Sequence, residues 1–254
     1  MRNAPPSVTE QSMHGQARGA FVTGTDTGVG KTAVAAAVLT ALARRGLTIG
    51  AFKPIETGCG PSLVDSDVER LKHAAQMPDP TELICPYRFP APLAPRAAAE
   101  AAACPVQPQV IERAFQTLAG RYRCLLVEGV GGLRVPIAEK FDVADLIAHL
   151  GLPVIVVGRA ALGGVNHALL TLEALERRQL PVLALILNQP HAAEERARQQ
   201  RDATVSLLRE LAGVPVLGSL PHVPSFPVQW ETAVRTLSFD PAIEAMADLI
   251  TAGS

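Results

Sequence analysis

The chain has 254 residues, 48% of them hydrophobic, and a formal net charge of -1. That length and apolar content support a substantial core, while the near-neutral charge argues against a general nucleic-acid surface or a polybasic membrane surface. The four cysteines, Cys59, Cys85, Cys104 and Cys124, are scattered without a C-x-x-C pair or metal-ligand spacing, so they read as reduced thiols of a cytoplasmic protein.

Residues 1–18 are polar, include Pro5 and Pro6, and lack an apolar signal core, so they are expected to form a disordered tail ahead of one domain over 19–254. No apolar run reaches membrane-spanning length. Ala20 to Thr23 is an apolar, β-prone run and reads as a buried strand. Gly24-Thr-Asp-Thr-Gly-Val-Gly30 is a glycine loop, and Lys31 opens a strong helix former that runs to Arg45 and stops at Gly46. Strand, glycine loop and helix opening on Lys-Thr is the context of a phosphate-binding loop. Its backbone N–H groups and the helix N-terminus favour an anion there. Lys31 suits the β- and γ-phosphates, and the Thr32 hydroxyl suits Mg²⁺. The loop is one residue longer than the common spacing, with Thr25 at the usual first-glycine position.

Ile49 to Lys53 reads as a second strand, stopped by Pro54, with Glu56 to Ser62 as a loop. A helix with an acidic first turn opens near Asp65 and Asp67. Prolines at 78, 80, 86, 90, 92 and 95 mark an irregular excursion, followed by helices near 97–103 and 106–119. Cys124 to Glu128 is a third strand leading into Gly-Val-Gly-Gly, and Phe141 to Leu150 reads as helix. Strands near 153–157, 182–187 and 214–217 alternate with helices from Leu162-Gly-Gly-Val-Asn-His167 to Arg178 and from Glu194 to Leu211, and Ala242 to Ile250 closes as helix. Apolar strands alternating with helices imply a single doubly wound, mostly parallel α/β sheet with helices on both faces, of the P-loop NTPase type.

Ligands in such sheets lie beyond the carboxyl ends of the strands, and the polar residues there are Lys53, Glu128 and Asn188. Glu128 suits Mg²⁺, as does Asp67, although helix capping also explains Asp67 and Asp65 competes with it. Lys53 suits charge on a transferring phosphoryl group or an acceptor carboxylate. The chain carries only four lysines against nineteen arginines, so the placing of Lys31 and Lys53 at this face is of interest. The Asn188 amide suits an adenine edge, or a cap. Gly163-Gly164 before a helix suits an anion, or a plain turn.

Five segments together resemble the dethiobiotin synthetase family: Gly24 to Thr32, Phe52-Lys-Pro-Ile-Glu-Thr-Gly58, Asp65-Ser-Asp67, Val127-Glu-Gly-Val-Gly-Gly132 and Leu162 to His167. The resemblance covers nearly everything after residue 18. It implies an ATP-dependent cyclo-ligase that uses Mg²⁺ to close a ureido ring from 7,8-diaminononanoate and CO2 in biotin biosynthesis. It also implies a cytoplasmic homodimer with no nucleic-acid or membrane partner. Carried over by position, Gly28, Val29, Gly30, Lys31, Thr32 and Ala33 would hold the ATP phosphates. Thr32, Asp67 and Glu128 would ligate Mg²⁺. Lys53 and Lys31 would be the catalytic lysines, and Thr57 a substrate contact. Glu128, Gly129, Val130 and Gly131 would lie along the nucleotide. Asn188, Gln189, Pro221, His222 and Val223 would meet the adenine. Gly163, Gly164, Val165 and Asn166 would meet the substrate carboxylate from the partner subunit. The chain departs from the family at Gly28, where some members carry Glu, and in the distinctive segment Pro224 to Trp230.

Two rival classes lack their own features here. A glutamine-dependent diamide synthase needs a second domain with a nucleophilic cysteine, for which the chain is too short. A partitioning ATPase carries an extra lysine near the start of the loop, where Thr25 and Asp26 stand.

Overall fold

A computed structural model of the chain describes residues 19–60, 66–189, 195–226 and 228–252. The expected tail over 1–18 and the candidate Asp65 lie outside these residues. The first half runs β1 (Gly19–Gly24), α1 (Lys31–Arg44), β2 (Ile49–Phe52), β3 (Ile55–Thr57), α2 (Asp67–Ala74), α3 (Thr81–Ile84), β4 (Tyr87–Phe89), α4 (Pro95–Ala101), α5 (Pro108–Ala119) and β5 (Cys124–Gly132). The second runs β6 (Pro136–Ala138), β7 (Phe141–Asp142), α6 (Val143–Leu150), β8 (Val154–Arg159), α7 (Gly164–Arg177), β9 (Val182–Asn188), α8 (Glu195–Leu211), β10 (Val216–Leu217), α9 (Trp230–Leu237) and α10 (Pro241–Ala252).

Six strands form one sheet in the order β2-β5-β1-β8-β9-β10, and every neighbouring pair is parallel. Its inner strands are continuous apolar runs because both faces are covered. Phe21, Leu125, Val127, Val156 and Ile186 are almost fully buried. The chain moves outward from β1 to β2, returns to β5, then crosses β1 to β8 and moves outward again to β9 and β10. Right-handed crossovers in opposite directions put α1 on one face and α7 and α8 on the other. Accordingly α1 packs with α2, α9 and α10, while α7 packs with α8. The reversal of strand order lies beside β1, so the crevice of the sheet opens over the loop that follows β1.

Several elements differ from the sequence reading. The stretch read as a loop after Pro54 contains β3, which pairs in parallel with β4 and sets Glu56 opposite Arg88. The helix read from Phe141 starts instead at Val143. Phe141 and Asp142 pair with β6, and Asp142 then closes a capping box. Its carboxylate accepts the Asp145 N–H at 2.9 Å, and the Asp145 carboxylate accepts the Asp142 N–H at 2.9 Å. The last strand is shorter than 214–217, being Val216–Leu217. Helix α9 follows a polar, proline-containing stretch that shows no helical period. It is held by burial of Ala233, Val234 and Leu237.

Candidate active site

The loop between β1 and α1 is built on glycines with specific work to do. A Cβ on Gly24 would lie 2.9 Å from Val29 Cγ2 and 3.1 Å from Lys31 Nζ. Gly30 has φ 93° and a Cβ there would lie 2.1 Å from Asn188 Nδ2, so backbone and space both demand glycine. The loop is tied down on several sides. Thr25 N–H donates to Val157 O at 2.9 Å, and Asn188 Nδ2 donates to Val29 O at 2.9 Å. Arg159 at the end of β8 donates to Asp26 Oδ2 at 2.9 Å and to Thr27 O at 3.1 Å. No side chain caps the start of α1 and its first turn carries no acid, which suits an anion at that helix end. Lys31 Nζ donates back to Asp26 O at 3.1 Å. Burial lowers its pKa, with the Glu128 carboxylate opposing.

The end of β2, the middle of β5 and the starts of α1 and α2 then bring charge together; β5 runs on to Gly132, so Glu128 lies within the strand rather than at its end. Lys53, at the end of β2, donates to Asp67 Oδ2 at 2.9 Å and to Glu128 Oε1. Thr32 Oγ1 donates to the same Glu128 oxygen at 2.9 Å. Asp67 is set by its neighbours: Glu56 Oε1 accepts the Asp67 N–H at 2.7 Å, and Ser66 caps α2 by accepting the Glu69 N–H at 3.3 Å. Lys53 and Glu128 are both buried. Burial alone would lower the Lys53 pKa, but the Glu128 and Asp67 carboxylates outweigh it and hold the ammonium well above its ordinary value. Burial pushes Asp67 up, yet Lys53 and the Thr32 hydroxyl hold its carboxyl below the usual range. Burial pushes Glu128 up, with Lys53 pulling against it. Glu128 Oε2 is buried with no hydrogen-bond partner among the described residues. A hard cation would satisfy that oxygen, and the Thr32 hydroxyl with the Asp67 and Glu128 carboxylates forms an oxygen set that fits Mg²⁺.

These groups line a cleft of about 360 Å³. Gly28, Gly30, Lys31, Thr32, Ala33, Lys53, Thr57, Asp67, Glu128, Val130 and Gly131, all singled out from the sequence, are on its wall. Val29 is fully buried beneath the loop. Gly129 packs on Phe21, whose ring a Cβ would approach to 2.8 Å. Asn188 ends β9 and spends its Nδ2 on the loop rather than presenting the whole amide outward. Leu220 N–H donates to Leu187 O at 2.8 Å, which carries Pro221, His222 and Val223 past the end of β9, near Asn188 and Gln189. Gly163, Gly164, Val165 and Asn166 open α7 and are not among the residues lining this cleft. A Cβ on Gly164 would lie 2.2 Å from Arg159 O.

Sequence reasoning missed four lining residues as site candidates: Thr27, which lay inside the glycine loop, and Glu56, Arg70 and Trp230. Arg70 had a usable signal, because it stands three residues after Asp67 and so shares its helix face. Glu56 lay inside the Phe52–Gly58 segment, but its contact with Asp67 N–H depends on β3, which was read as loop. Trp230 had no local signal.

A family model described as an AAA domain matches residues 18–228. The ATP-dependent dethiobiotin synthetase of Thermodesulfovibrio yellowstonii is 42% identical over 243 residues, which is 91% of this chain and 99% of the relative. That of Anaeromyxobacter dehalogenans is 52% identical over 171 residues, 67% of this chain and 76% of the relative. Among solved structures, a ParA family ATPase from Chlorobium tepidum aligns with a TM-score of 0.55 at 15% identity, covering 91% of this chain and 98% of that one. The cell division ATPase MinD of Pyrococcus furiosus aligns with a TM-score of 0.55 at 16% identity, covering 93% and 100%. At such identities the two structures speak to the fold alone.

Proposed function

The chain belongs to the family of ATP-dependent dethiobiotin synthetases, and from that premise we propose that it uses ATP and Mg²⁺ to close the ureido ring of dethiobiotin from 7,8-diaminononanoate and CO2. One observation carries the reading. A buried lysine, Lys53, pairs with Asp67 and Glu128 beside a phosphate loop, in a chain that aligns over 99% of the length of a dethiobiotin synthetase at 42% identity.

The reaction asks for positioning and charge neutralisation more than for a protein nucleophile. One amine of the substrate takes up CO2 as a carbamate. A carbamate oxygen attacks the terminal phosphorus of ATP, giving a carbamic–phosphoric anhydride and ADP. The second amine attacks the carbamoyl carbon, expels phosphate and closes a five-membered ring. Gly28, Val29, Gly30 and Ala33 present backbone to the phosphates, and Lys31 neutralises charge on them. Thr32, Asp67 and Glu128 hold Mg²⁺, which supplies further charge neutralisation on the phosphate oxygens when bound. Lys53 faces the carbamate and the phosphoryl group in flight, with Thr57 beside the diamine. Gly129, Val130 and Gly131 run along the nucleotide. Asn188, Gln189, Pro221, His222 and Val223 take the base.

We place this activity in one α/β domain over 19–254 of a cytoplasmic homodimer. Gly163, Gly164, Val165 and Asn166 receive the carboxylate of substrate bound by the partner. The exposure of Gly163 and Asn166 at the start of α7, away from the cleft lining, supports that role. Light scattering that returns a fully active monomer at assay concentration counts against the dimer. Among the described residues no helix is long and apolar enough to cross a membrane, which is compatible with the cytoplasm. The test of function is an assay with ATP, bicarbonate and 7,8-diaminononanoate. ADP, phosphate and dethiobiotin are expected in equal amounts, and Lys31→Ala should yield none. ADP release indifferent to the diamine would overturn the reading.

A further inference from the structure

We propose that Glu56 is the positioning residue of Asp67, and that Arg88 supports it from the neighbouring strand. The inference rests on the reading of Asp67 as a Mg²⁺ ligand. Asp67 is the first residue of α2, where a helix leaves its N–H groups without partners of its own. Ser66 takes the N–H of Glu69, while the N–H of Asp67 donates to Glu56 Oε1, on a different element, at 2.7 Å. Three residues before Glu56, Lys53 Nζ donates to Asp67 Oδ2 at 2.9 Å. One short stretch of chain therefore grips Asp67 twice, at its backbone and at its carboxylate. Only the backbone grip leaves both carboxylate oxygens to a cation.

The hold on Glu56 is tertiary. β3 pairs in parallel with β4, which sets Glu56 opposite Arg88, and the flanking Ile55, Tyr87 and Phe89 are buried. Arg88 Nε lies 3.6 Å from Glu56 Oε2, a separation that offsets charge but is too long for a hydrogen bond. Glu56 Oε2 and Arg88 Nε and Nη2 are buried with no hydrogen-bond partner among the described residues. The guanidinium thus balances a carboxylate that would otherwise be buried alone, and it leaves Oε1 to Asp67. A charged acceptor on a helix N-terminal N–H makes a strong hydrogen bond. Glu56 lines the cleft wall with Asp67 and Glu128, so this brace stands directly behind the oxygen set that fits the metal.

The test uses the full chain with Glu56→Gln, Arg88→Met and the double variant Glu56→Leu with Arg88→Met. Glu56→Gln keeps an acceptor for the Asp67 N–H but strands Arg88, and Arg88→Met strands Glu56. The double variant removes acceptor and cation together and fills their space with apolar atoms, so it should keep the fold. Two quantities are read. One is hydrogen exchange of the Asp67 amide by NMR in the metal-free chain, and the other is the Mg²⁺ concentration for half-maximal single turnover. The double variant should speed the exchange by about tenfold or more, the worth of a hydrogen bond to a charged group. It should also raise the Mg²⁺ midpoint by about tenfold, the scale of losing an outer partner of a metal ligand, with most of the rate recovered at saturating Mg²⁺. Glu56→Gln and Arg88→Met should melt below wild type, yet keep both quantities near their wild-type values. Either quantity unmoved in the double variant, or a midpoint shifted by about tenfold in Glu56→Gln, would overturn the inference alone. Turnover by the wild-type chain that is indifferent to Mg²⁺ would overturn it together with the reading of Asp67 as a ligand.

Discussion

The Thr32 hydroxyl and Glu128 Oε1 meet at 2.9 Å across 96 positions of sequence, joining the first turn of α1 to the middle of β5. Glu128 Oε1 also accepts from Lys53, while its other oxygen is buried and has no hydrogen-bond partner among the described residues. The carboxylate thus has one oxygen spoken for and one waiting, in a site that already contains a second carboxylate, Asp67. Glu128→Gln and Asp67→Asn should each raise the Mg²⁺ concentration for half-maximal activity by about tenfold or more, the scale of losing even an outer partner of a metal. Asp65→Asn should leave the titration where it was. A shift with Asp65→Asn and none with Asp67→Asn would move the metal ligand.

Lys53 should act on the chemical step and hold the site together. Lys53→Gln is expected to lower kcat by about a hundredfold with little change in ATP affinity. It also strands the buried Glu128 carboxylate, and breaking such a pair costs about 3–5 kcal/mol, so the variant should melt well below wild type. The double variant Lys53→Gln with Glu128→Gln should recover part of that stability but none of the activity. A Lys53→Gln variant that binds ATP far more weakly yet turns over normally when saturated would assign Lys53 to the nucleotide.

Gly28 and Gly30 share a left-handed backbone, with φ 72° and 93°, but not their surroundings. A Cβ on Gly28 meets open space, while one on Gly30 runs into the Asn188 amide. Gly28→Ala should therefore cost only backbone strain, about 1–2 kcal/mol, and keep ATP binding. Gly30→Ala should lose ATP binding by calorimetry, and adding Asn188→Ala should restore part of it. Equal behaviour of the two single variants would remove the steric argument.

Asp79 and Tyr122 predict an alkaline limit on stability. Asp79 is buried and accepts from both Tyr122 and Arg121. Burial, the hydrogen bond to Asp79 and the charge of that carboxylate push the Tyr122 phenol up to about 12. The folded state keeps the proton that the unfolded state gives up near its ordinary value. This contribution is whole below about pH 10 and falls as pH rises toward about 12, with a slope of at most about 1.4 kcal/mol per pH unit. Tyr122→Phe should lower Tm at neutral pH and flatten its fall between pH 10 and 11.5. A slope unchanged by the substitution would assign the alkaline loss to other groups.

The sequence by itself determined the site wherever the chemistry is local. A buried strand, a glycine loop and a helix opening on Lys31 and Thr32 are contiguous, so their residue types alone specify the phosphate loop. Lys53 and Glu128 were legible for a related reason: each closes an apolar run toward the carboxyl side of the sheet, where the ligands of such folds lie, although β5 carries on past Glu128 to Gly132. What joins those ends is not local. The order β2-β5-β1-β8 makes β5 the neighbour of both β1 and β2, and only that adjacency lets Glu128 touch Thr32 and Lys53 together. Glu56 gained its hold on Asp67 N–H from a strand that exists through pairing with β4, and Phe141 and Asp142 left their helix for the same kind of reason. Trp230 lies 160 positions from Arg70 and reaches it because α9 buries its apolar face against α1. Hydrophobic period and glycine placement act over a few residues. The pairing of charges and rings across the cleft is decided by which surfaces the packed sheet and helices bring into contact, and that was set only by the tertiary structure.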